Sequence, residues 1–319
     1  MALDEFDLIR TYFAPLSAPG AVGLRDDVAS VPVPEGREMV VKTDMIAEGV
    51  HFLSDDPPDS VARKLLRVNL SDLAAKGCQP FGYVLNAAFP RTVAESWIAS
   101  FAAGLARDQE EYGCALLGGD TIVHRGAITL GVTFLGTAPA GMPRRGNARI
   151  GDKVAMSGVL GEGVLGLALL QNRYAEPDPV RRAALIEKYR VPQPRLRLGQ
   201  ELVRNGLLHA TMDISDGLIG DCTHLAQASS CHVRLELEEI PLASADPAWR
   251  EALLTGGDDY EILMTIPPAH IEVAAKIARA CATSLTVIGA IEPGEGVSVR
   301  DRSGEALAFT RSGYRHRFG

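Results

Sequence analysis

The chain has 319 residues, of which 46% are hydrophobic and 23% charged, and these values are typical of a globular protein with two domains. Its formal net charge of −8 excludes the basic surface that nucleic-acid-binding proteins need, so we expect no nucleic-acid partner. No apolar run reaches about 18 residues, the length that predicts a membrane-spanning helix. The first residues also lack the basic and apolar regions of a signal peptide. We therefore predict no membrane association.

The five cysteines are scattered along the chain: Cys78, Cys114, Cys222, Cys231 and Cys281. They form no CxxC pair, and their odd number does not suit a disulfide framework. Free thiols are typical of a reducing compartment. We therefore predict a cytoplasmic protein.

The first half of the chain alternates between strand-like and helix-like segments. Short apolar runs predict strands at 38–43, 114–117 and 127–135. Two longer segments predict helices at 61–76 and 94–112. Ser60 is the expected N-cap of the first helix and Gly77 its end, and Gly113 ends the second helix.

A segment rich in Pro, Gly and Arg at 137–151 is the predicted boundary between two domains. Beyond it, strands are predicted at 152–157, 233–237 and 261–266, helical segments at 164–172 and 180–205, and mixed turn and helix at 211–228. The pattern predicts an α/β protein of the α+β type, with domains at 1–140 and 150–319.

The aspartates fall at unusual places. Eight of them follow a predicted strand or lie at a glycine turn: Asp26, Asp27, Asp44, Asp120, Asp213, Asp216, Asp258 and Asp259. Any one of them has an ordinary explanation, because Asp caps helices and forms turns. Asp72 is different, since it lies with Asn69 in the middle of an otherwise apolar helical segment, and Asp is rarely buried without a partner.

If these carboxylates converge, they repel one another unless cations neutralise them. Oxygen ligands without clustered His or Cys favour a hard cation, either magnesium or calcium. The EF-hand calcium loop is absent, so the magnesium of a bound nucleotide is the simpler hypothesis.

Other phosphate-binding motifs are absent or incomplete. The chain has no GxxxxGK[ST] loop and no HRD or DFG motif, which excludes P-loop and protein-kinase folds. The segment Gly161–Gly166 matches GxGxxG, but a basic helical stretch follows where a dinucleotide-binding fold needs a second strand ending in an acid. These glycines therefore indicate tight packing or a close approach to a phosphate.

Six motifs occur in an order that resembles the thiamine-monophosphate kinases, of the aminoimidazole-ribonucleotide-synthetase-like superfamily. They are Gly23–Ala29 (GLRDDVA), Thr43–Phe52 (TDMIAEGVHF), Asn69–Ala75 (NLSDLAA), Gly118–Thr121 (GGDT), Met212–Leu218 (MDISDGL) and Gly256–Glu261 (GGDDYE). Each motif alone is a weak signal, but together they span residues 23 to 261.

The resemblance implies two α/β domains of this superfamily's fold and a homodimer that pairs through the N-terminal domains. The N-terminal domain would bind ATP and magnesium, and the C-terminal domain would complete the ATP cleft. The implied reaction is a magnesium-dependent transfer of the ATP γ-phosphoryl group to thiamine monophosphate, giving thiamine diphosphate and ADP. A phosphate oxygen of the substrate is the nucleophile, so no catalytic general base is expected.

The resemblance also implies roles for individual residues. Several Mg²⁺ ions would be held by Asp27, Thr43, Asp44, Asp72, Asp120, Asp213 and Asp216. ATP would contact Gly119, Asp120, Arg145 and Ser215, and the thiamine substrate would contact His51, Asp258 and Tyr314.

Arg25, Lys42, Lys76, Asp258 and Ala102 depart from the family pattern, and two of these departures bear directly on the predicted site. Lys42 stands where Ser or Thr is common, and a cation there could displace one weakly held metal ion. Asp258 replaces a Glu and is one methylene shorter. Two alternatives stay open: another ATP-dependent synthetase of the same superfamily, and a nucleotide-binding protein without turnover, which ADP release would distinguish.

Overall fold

The computed structural model describes residues 5–24, 32, 34–311 and 313–314. The chain folds into two compact units. The first contains the described residues up to 73 together with 78–140, and the second contains 74–77 and the described residues from 141 onward. Asp26 and Asp27 lie outside the described residues, so the metal-binding role predicted for Asp27 stays a prediction.

The first unit is built on a four-stranded sheet. Its strands are β1 (Arg37–Ala47), β2 (Gln79–Pro90), β3 (Ala115–His124) and β4 (Thr129–Pro139). They lie in the order β1-β4-β2-β3. β4 is antiparallel to both β1 and β2, whereas β2 and β3 are parallel, as a connection through a helix requires.

The helices of the first unit are α1 (Glu5–Leu8), α2 (Pro58–Ala75) and α3 (Glu95–Tyr112), and the last two residues of α2 belong to the second unit. α2 begins two residues before the predicted cap Ser60, whose hydroxyl instead donates to the Pro57 carbonyl oxygen at 2.7 Å. α3 ends as predicted at Gly113, which has a φ of +65°.

A buried ion pair joins α2 to α3. The Arg67 guanidinium donates to both carboxylate oxygens of Asp108, at 2.7 and 2.9 Å, and both side chains are fully buried. Arg67 also donates to the half-exposed Glu111 at 2.6 Å. Burial disfavours the charged guanidinium, but hydrogen bonds and attraction to Asp108 outweigh it and raise the pKa of Arg67.

The two faces of the first sheet differ in their environment. The row Asp44–Val132–Leu85 crosses β1, β4 and β2, and Val132 and Leu85 are buried. The neighbouring residues point to the opposite face, which we call the outer face. It exposes Val41 and Met45, each 61% accessible. Met39 and Ile122 are also exposed on this face.

The second unit contains a six-stranded mixed sheet. Its strands are β5 (Lys153–Ser157), β6 (Ala210–Ile214), β7 (His232–Glu236), β8 (Glu261–Ile266), β9 (Leu285–Glu292) and β10 (Gly296–Arg300). The order is β10-β7-β9-β5-β8-β6, and β10 is parallel to β7 while the other neighbours are antiparallel.

Six helices belong to the second unit: α4 (Glu162–Leu170), α5 (Pro179–Arg190), α6 (Leu196–Arg204), α7 (Leu218–Ser229), α8 (Arg250–Thr255) and α9 (Ile271–Ala280). The single helical stretch predicted at 180–205 is thus two helices. Pro192 and Pro194 lie between them, and proline cannot donate the backbone hydrogen bonds of a helix interior.

Three of the predicted site aspartates lie inside strands rather than at their ends. Asp44 is followed by three more residues of β1, Asp120 lies within β3, and Asp213 lies within β6, where all five residues are buried. The described part of the chain contains no helix that combines the length and the apolar character needed to span a membrane.

Candidate active site

Lys42 joins two of the predicted magnesium ligands in the first unit. Its Nζ lies 2.8 Å from Asp72 Oδ2 on α2 and 3.0 Å from Asp44 Oδ2 on β1. Lys42 and Asp44 are two residues apart on the same strand, so their side chains share one face of the sheet. The strand register and the helix therefore bring together two carboxylates that are separated by 28 positions in the sequence.

The charge of Lys42 is stabilised by this arrangement. Partial burial disfavours the ammonium form, but Coulombic attraction and hydrogen bonds to Asp72 and Asp44 have the larger combined effect. The pKa of Lys42 is consequently raised above its usual value. At neutral pH the group is a fixed cation between two carboxylates.

Asp120 and Thr43 lie on the outer face of the same sheet. Across the sheet, Asp120 of β3 is paired with Asn86 of β2, Asn86 with Gly131 of β4, and Gly131 with Met45 of β1. Asp120 therefore shares the face of Met45, and its side chain is exposed. The Thr43 hydroxyl donates to the Val132 carbonyl oxygen at 3.0 Å. The register therefore separates Asp120 and Thr43 from the pair formed by Asp44 and Asp72.

His51 and Gly119 have local structural roles. The His51 Nδ1 accepts a hydrogen bond from the Ala47 amide at 3.1 Å, which fixes the turn after β1. A Cβ added to Gly119 would lie 2.0 Å from the Leu85 carbonyl oxygen. Close packing of β3 on β2 therefore requires glycine at 119, whatever else binds there.

In the second unit, three separate segments meet through backbone hydrogen bonds. The Asp258 amide donates to the Ser215 carbonyl oxygen at 3.1 Å, and the Tyr314 amide donates to the Asp216 carbonyl oxygen at 2.9 Å. A Cβ on Gly257 would lie 2.2 Å from the Ser215 oxygen, so glycine allows this close approach. The structure thus brings together the backbones of one residue predicted to contact the nucleotide, one predicted to bind metal and two predicted to contact the substrate.

Asp221 organises this turn and was not predicted from the sequence. It lies in the first turn of α7, and its Oδ2 accepts from the amides of Ser215 at 3.1 Å and Asp216 at 3.2 Å. Burial, followed by repulsion from Asp213 and Asp216, raises the pKa of Asp221 well above its ordinary value. The sequence feature that could have identified Asp221 is its position three residues after the start of a helix, where an acidic side chain can accept hydrogen bonds from the preceding amides.

The turn that carries Asp258 has an unusual backbone. Asp258 and Tyr260 have φ values of +72° and +53°, a region that costs free energy for residues other than glycine. The Tyr260 hydroxyl donates to Asp258 Oδ1 at 2.9 Å. Residues held in this conformation are often found at functional sites.

Asp259 lies between these two residues and binds the start of α4. Its Oδ1 accepts from the Gly161 amide at 2.8 Å, whereas Oδ2 is buried without a hydrogen-bond partner among the described residues. Burial raises the pKa of Asp259, although hydrogen bonds from Gly161 and Gly163 oppose the shift. A carboxylate at a helix N-terminus takes the place that a bound phosphate would use.

The three glycines of the GxGxxG segment are explained by packing. A Cβ on Gly161 would lie 2.3 Å from Leu253 Cδ2, and one on Gly163 would lie 2.3 Å from the Asp258 carbonyl oxygen. A Cβ on Gly166 would lie 2.1 Å from the Leu185 carbonyl oxygen of α5. Each position therefore excludes a side chain because protein atoms occupy the space.

Gly163→Ala is expected to destabilise the second unit by about 1–3 kcal/mol, because overpacking forces the backbone to shift. Thermal unfolding of the purified variant measures the effect. Gly118→Ala is the matched control, since a Cβ there meets no atom within 4 Å. Equal melting temperatures for the two variants would contradict the packing explanation.

Arg145 lies in a short helical turn, Arg145–Asn147, and its side chain is exposed. Its carbonyl oxygen accepts from the Ser229 hydroxyl at 2.9 Å, which ties this turn to α7. Among the described residues, no three His, Cys, Asp or Glu side chains form a preassembled metal site.

Comparison with known proteins identifies the family. Residues 25–138 match the family AIR synthase related protein, N-terminal domain, and residues 149–302 match the corresponding C-terminal domain. The thiamine-monophosphate kinase of Caulobacter vibrioides is 39% identical, over 98% of this chain and 90% of that protein. The chain belongs to the thiamine-monophosphate kinase family. The enzyme of Escherichia coli K12 is 35% identical over 99% of each chain.

Solved structures confirm the predicted fold of two α/β domains. A thiamine-monophosphate kinase from Stenotrophomonas maltophilia aligns with a TM-score of 0.82 and 32% identity, covering 96% of this chain and 99% of that one. AaThiL complexed with AMPPCP and TMP aligns with a TM-score of 0.77 and 31% identity over 99% of both. The more distant HypE, 17% identical, shares the fold with a TM-score of 0.79. Membership in the kinase family also confirms the prediction of a phosphotransferase.

Proposed function

We propose that this chain transfers the γ-phosphoryl group of ATP to the phosphate of thiamine monophosphate, giving thiamine diphosphate and ADP. The observation that carries the proposal is the full-length similarity to thiamine-monophosphate kinases, one of which has been solved with AMPPCP and TMP. The convergence of Ser215, Asp216 and Asp258 supports it, because these residues come from two motifs of that family, and the backbone of Tyr314, a predicted substrate contact, joins them.

The proposed cofactor is Mg²⁺, and the donor chemistry of the chain fits it. Asp44 and Asp72 in the first unit, and Asp213 and Asp216 in the second, offer carboxylate oxygens, which are the ligands that Mg²⁺ prefers. Because few protein ligands are already assembled, these carboxylates favour Mg²⁺ ions that are also coordinated by the nucleotide phosphates. When bound, magnesium supplies charge neutralisation between the two phosphate groups.

The role of the protein in the reaction is positioning and electrostatics. The attacking phosphate oxygen of the substrate is largely ionised at neutral pH, so no side chain has to remove a proton. Arg145 is exposed and can offer a planar set of donors to a phosphate. Asp258, fixed by its strained turn, is the proposed contact for the cationic thiazolium ring, and Tyr314 offers an aromatic face to the same ring.

The direct test measures ADP and thiamine diphosphate after mixing the purified chain with ATP, Mg²⁺ and thiamine monophosphate. We expect equimolar products that depend on both substrates. ATP binding without ADP formation would indicate a nucleotide-binding protein without turnover, and ADP formation with a different acceptor would indicate another synthetase of the superfamily.

We also propose a homodimer that pairs through the outer face of the first sheet. Val41 and Met45 are each 61% exposed on this face, and Met39 and Ile122 extend the apolar surface. Several large apolar side chains exposed on one face of a sheet favour a protein–protein interface. A second copy of the chain is the proposed occupant because the family resemblance implies a dimer through this domain.

Val41→Asp is expected to convert the dimer to a monomer, because it buries an unpaired charge in the interface. Light scattering coupled to size-exclusion chromatography measures the change. Val180→Asp is the matched control, since Val180 is 76% exposed on α5 of the second unit. If Val41→Asp remains a dimer, this face is not the interface.

A cytoplasmic location remains our proposal. Cys78, Cys114, Cys222 and Cys231 are all buried, and each is a free thiol. Free thiols fit a reducing compartment.

A further inference from the structure

We propose that the Lys42 ammonium permanently occupies the place of one divalent cation between Asp44 and Asp72, so that the chain binds one metal ion fewer than it would without this lysine. The inference deepens the proposed function and rests on its metal site. Lys42, Asp44 and Asp72 all lie within the first unit.

The contact geometry supports the inference. Nζ lies within 3.0 Å of one oxygen of each carboxylate. A magnesium ion that bridged the same two oxygens would lie about 2.1 Å from each, in the space that Nζ occupies. Since two cations cannot share this position, the lysine and a bridging ion exclude each other.

Charge balance leads to the same conclusion. The two carboxylates carry two negative charges, which a divalent cation would neutralise. With Lys42 the remaining charge of the group is −1, so the attraction for a second cation is weaker. The Lys42 and Asp72 side chains are 26% and 30% exposed, so solvent screens these charges less than it screens fully exposed ones.

The test counts bound Mn²⁺ per chain by electron paramagnetic resonance of free Mn²⁺, without nucleotide. Lys42→Met removes the charge and retains an unbranched chain. We expect this variant to bind one Mn²⁺ more per chain than the wild type, whereas Lys42→Arg gains none. The double variant Lys42→Met/Asp72→Asn should lose the additional ion, which would locate it.

Lys188→Met is the matched control. Lys188 Nζ lies 3.0 Å from Glu162 Oε2 in the second unit, so this variant also breaks a lysine–carboxylate pair. We expect its Mn²⁺ count to equal that of the wild type. A gain in this control would show that any unpaired carboxylate takes up Mn²⁺, and the inference would fail.

Equal Mn²⁺ counts for the wild type and Lys42→Met would overturn the inference. Cooperative thermal unfolding verifies that the variant is folded, and Lys42→Ser replaces it if it is not. If the counts are equal but the KM for ATP rises in Lys42→Met, the lysine binds a phosphate instead, which also overturns the inference. The kinase activity of the wild type is measured in a separate assay. Equal Mn²⁺ counts would therefore overturn the role of Lys42 without contradicting the proposed reaction.

Discussion

Asp44→Asn is expected to lower kcat by about 10²–10³-fold, the range found when one electrostatic group is removed from an active site. The substitution retains the shape of the side chain and removes its negative charge. Asp44 lies on β1 next to the Lys42 ammonium and is a proposed Mg²⁺ ligand. Steady-state kinetics at saturating Mg²⁺ and ATP measure the change.

Asp55→Asn is the matched control for this variant. Asp55 is exposed in the segment between β1 and α2, and its substitution makes the same change in net charge. We expect it to retain wild-type kcat. A fully active Asp44→Asn would remove Asp44 from the mechanism, whatever its effect on metal binding.

Asp108→Ala is expected to destabilise the first unit by about 3 kcal/mol, because it leaves the fully buried Arg67 without its main partner. Glu111 retains one hydrogen bond to the guanidinium, which places the expected loss at the lower end of the usual range. Urea unfolding, followed by tryptophan fluorescence, measures the change in the free energy of unfolding.

Two further variants test the origin of this loss. Glu111→Gln should cost less than about 1 kcal/mol, because Glu111 is 46% exposed and water screens its charge. The double variant Arg67→Met/Asp108→Leu should recover much of the stability, since apolar residues often replace a buried ion pair without loss. If the double variant is no more stable than Asp108→Ala, packing rather than the unpaired charge explains the loss.

The fold was predictable where the local pattern was strong. The strand at 261–266 was predicted with the bounds of β8, and α2 and α3 were placed within three residues. β2 was not predicted, because Pro80, Gly82 and Asn86 are unfavourable in strands. Pairing with both β3 and β4 stabilises it nevertheless, and such long-range partners cannot be deduced from a local window.

The sequence predicted the residue types of the site better than their arrangement. Asp72 was identified because a carboxylate in an apolar helix needs a partner, and the structure provides Lys42. Asp213 was expected in a segment of mixed turn and helix at 211–228, yet it lies in the buried strand β6. Asp221 and Asp259 were not assigned, since their roles depend on amides that only the folded chain brings to them.

The left-handed turn at Asp258 and Tyr260 has a consequence for the thermodynamics of recognition. Its backbone amides donate hydrogen bonds to the carbonyl oxygens of Ser215 and Ile214, and Asp259 anchors it to the start of α4. The loss of conformational entropy in this segment therefore occurs when the chain folds. A ligand that contacts Asp258 meets a carboxylate that is already ordered, so less of its binding free energy is spent on immobilising the protein.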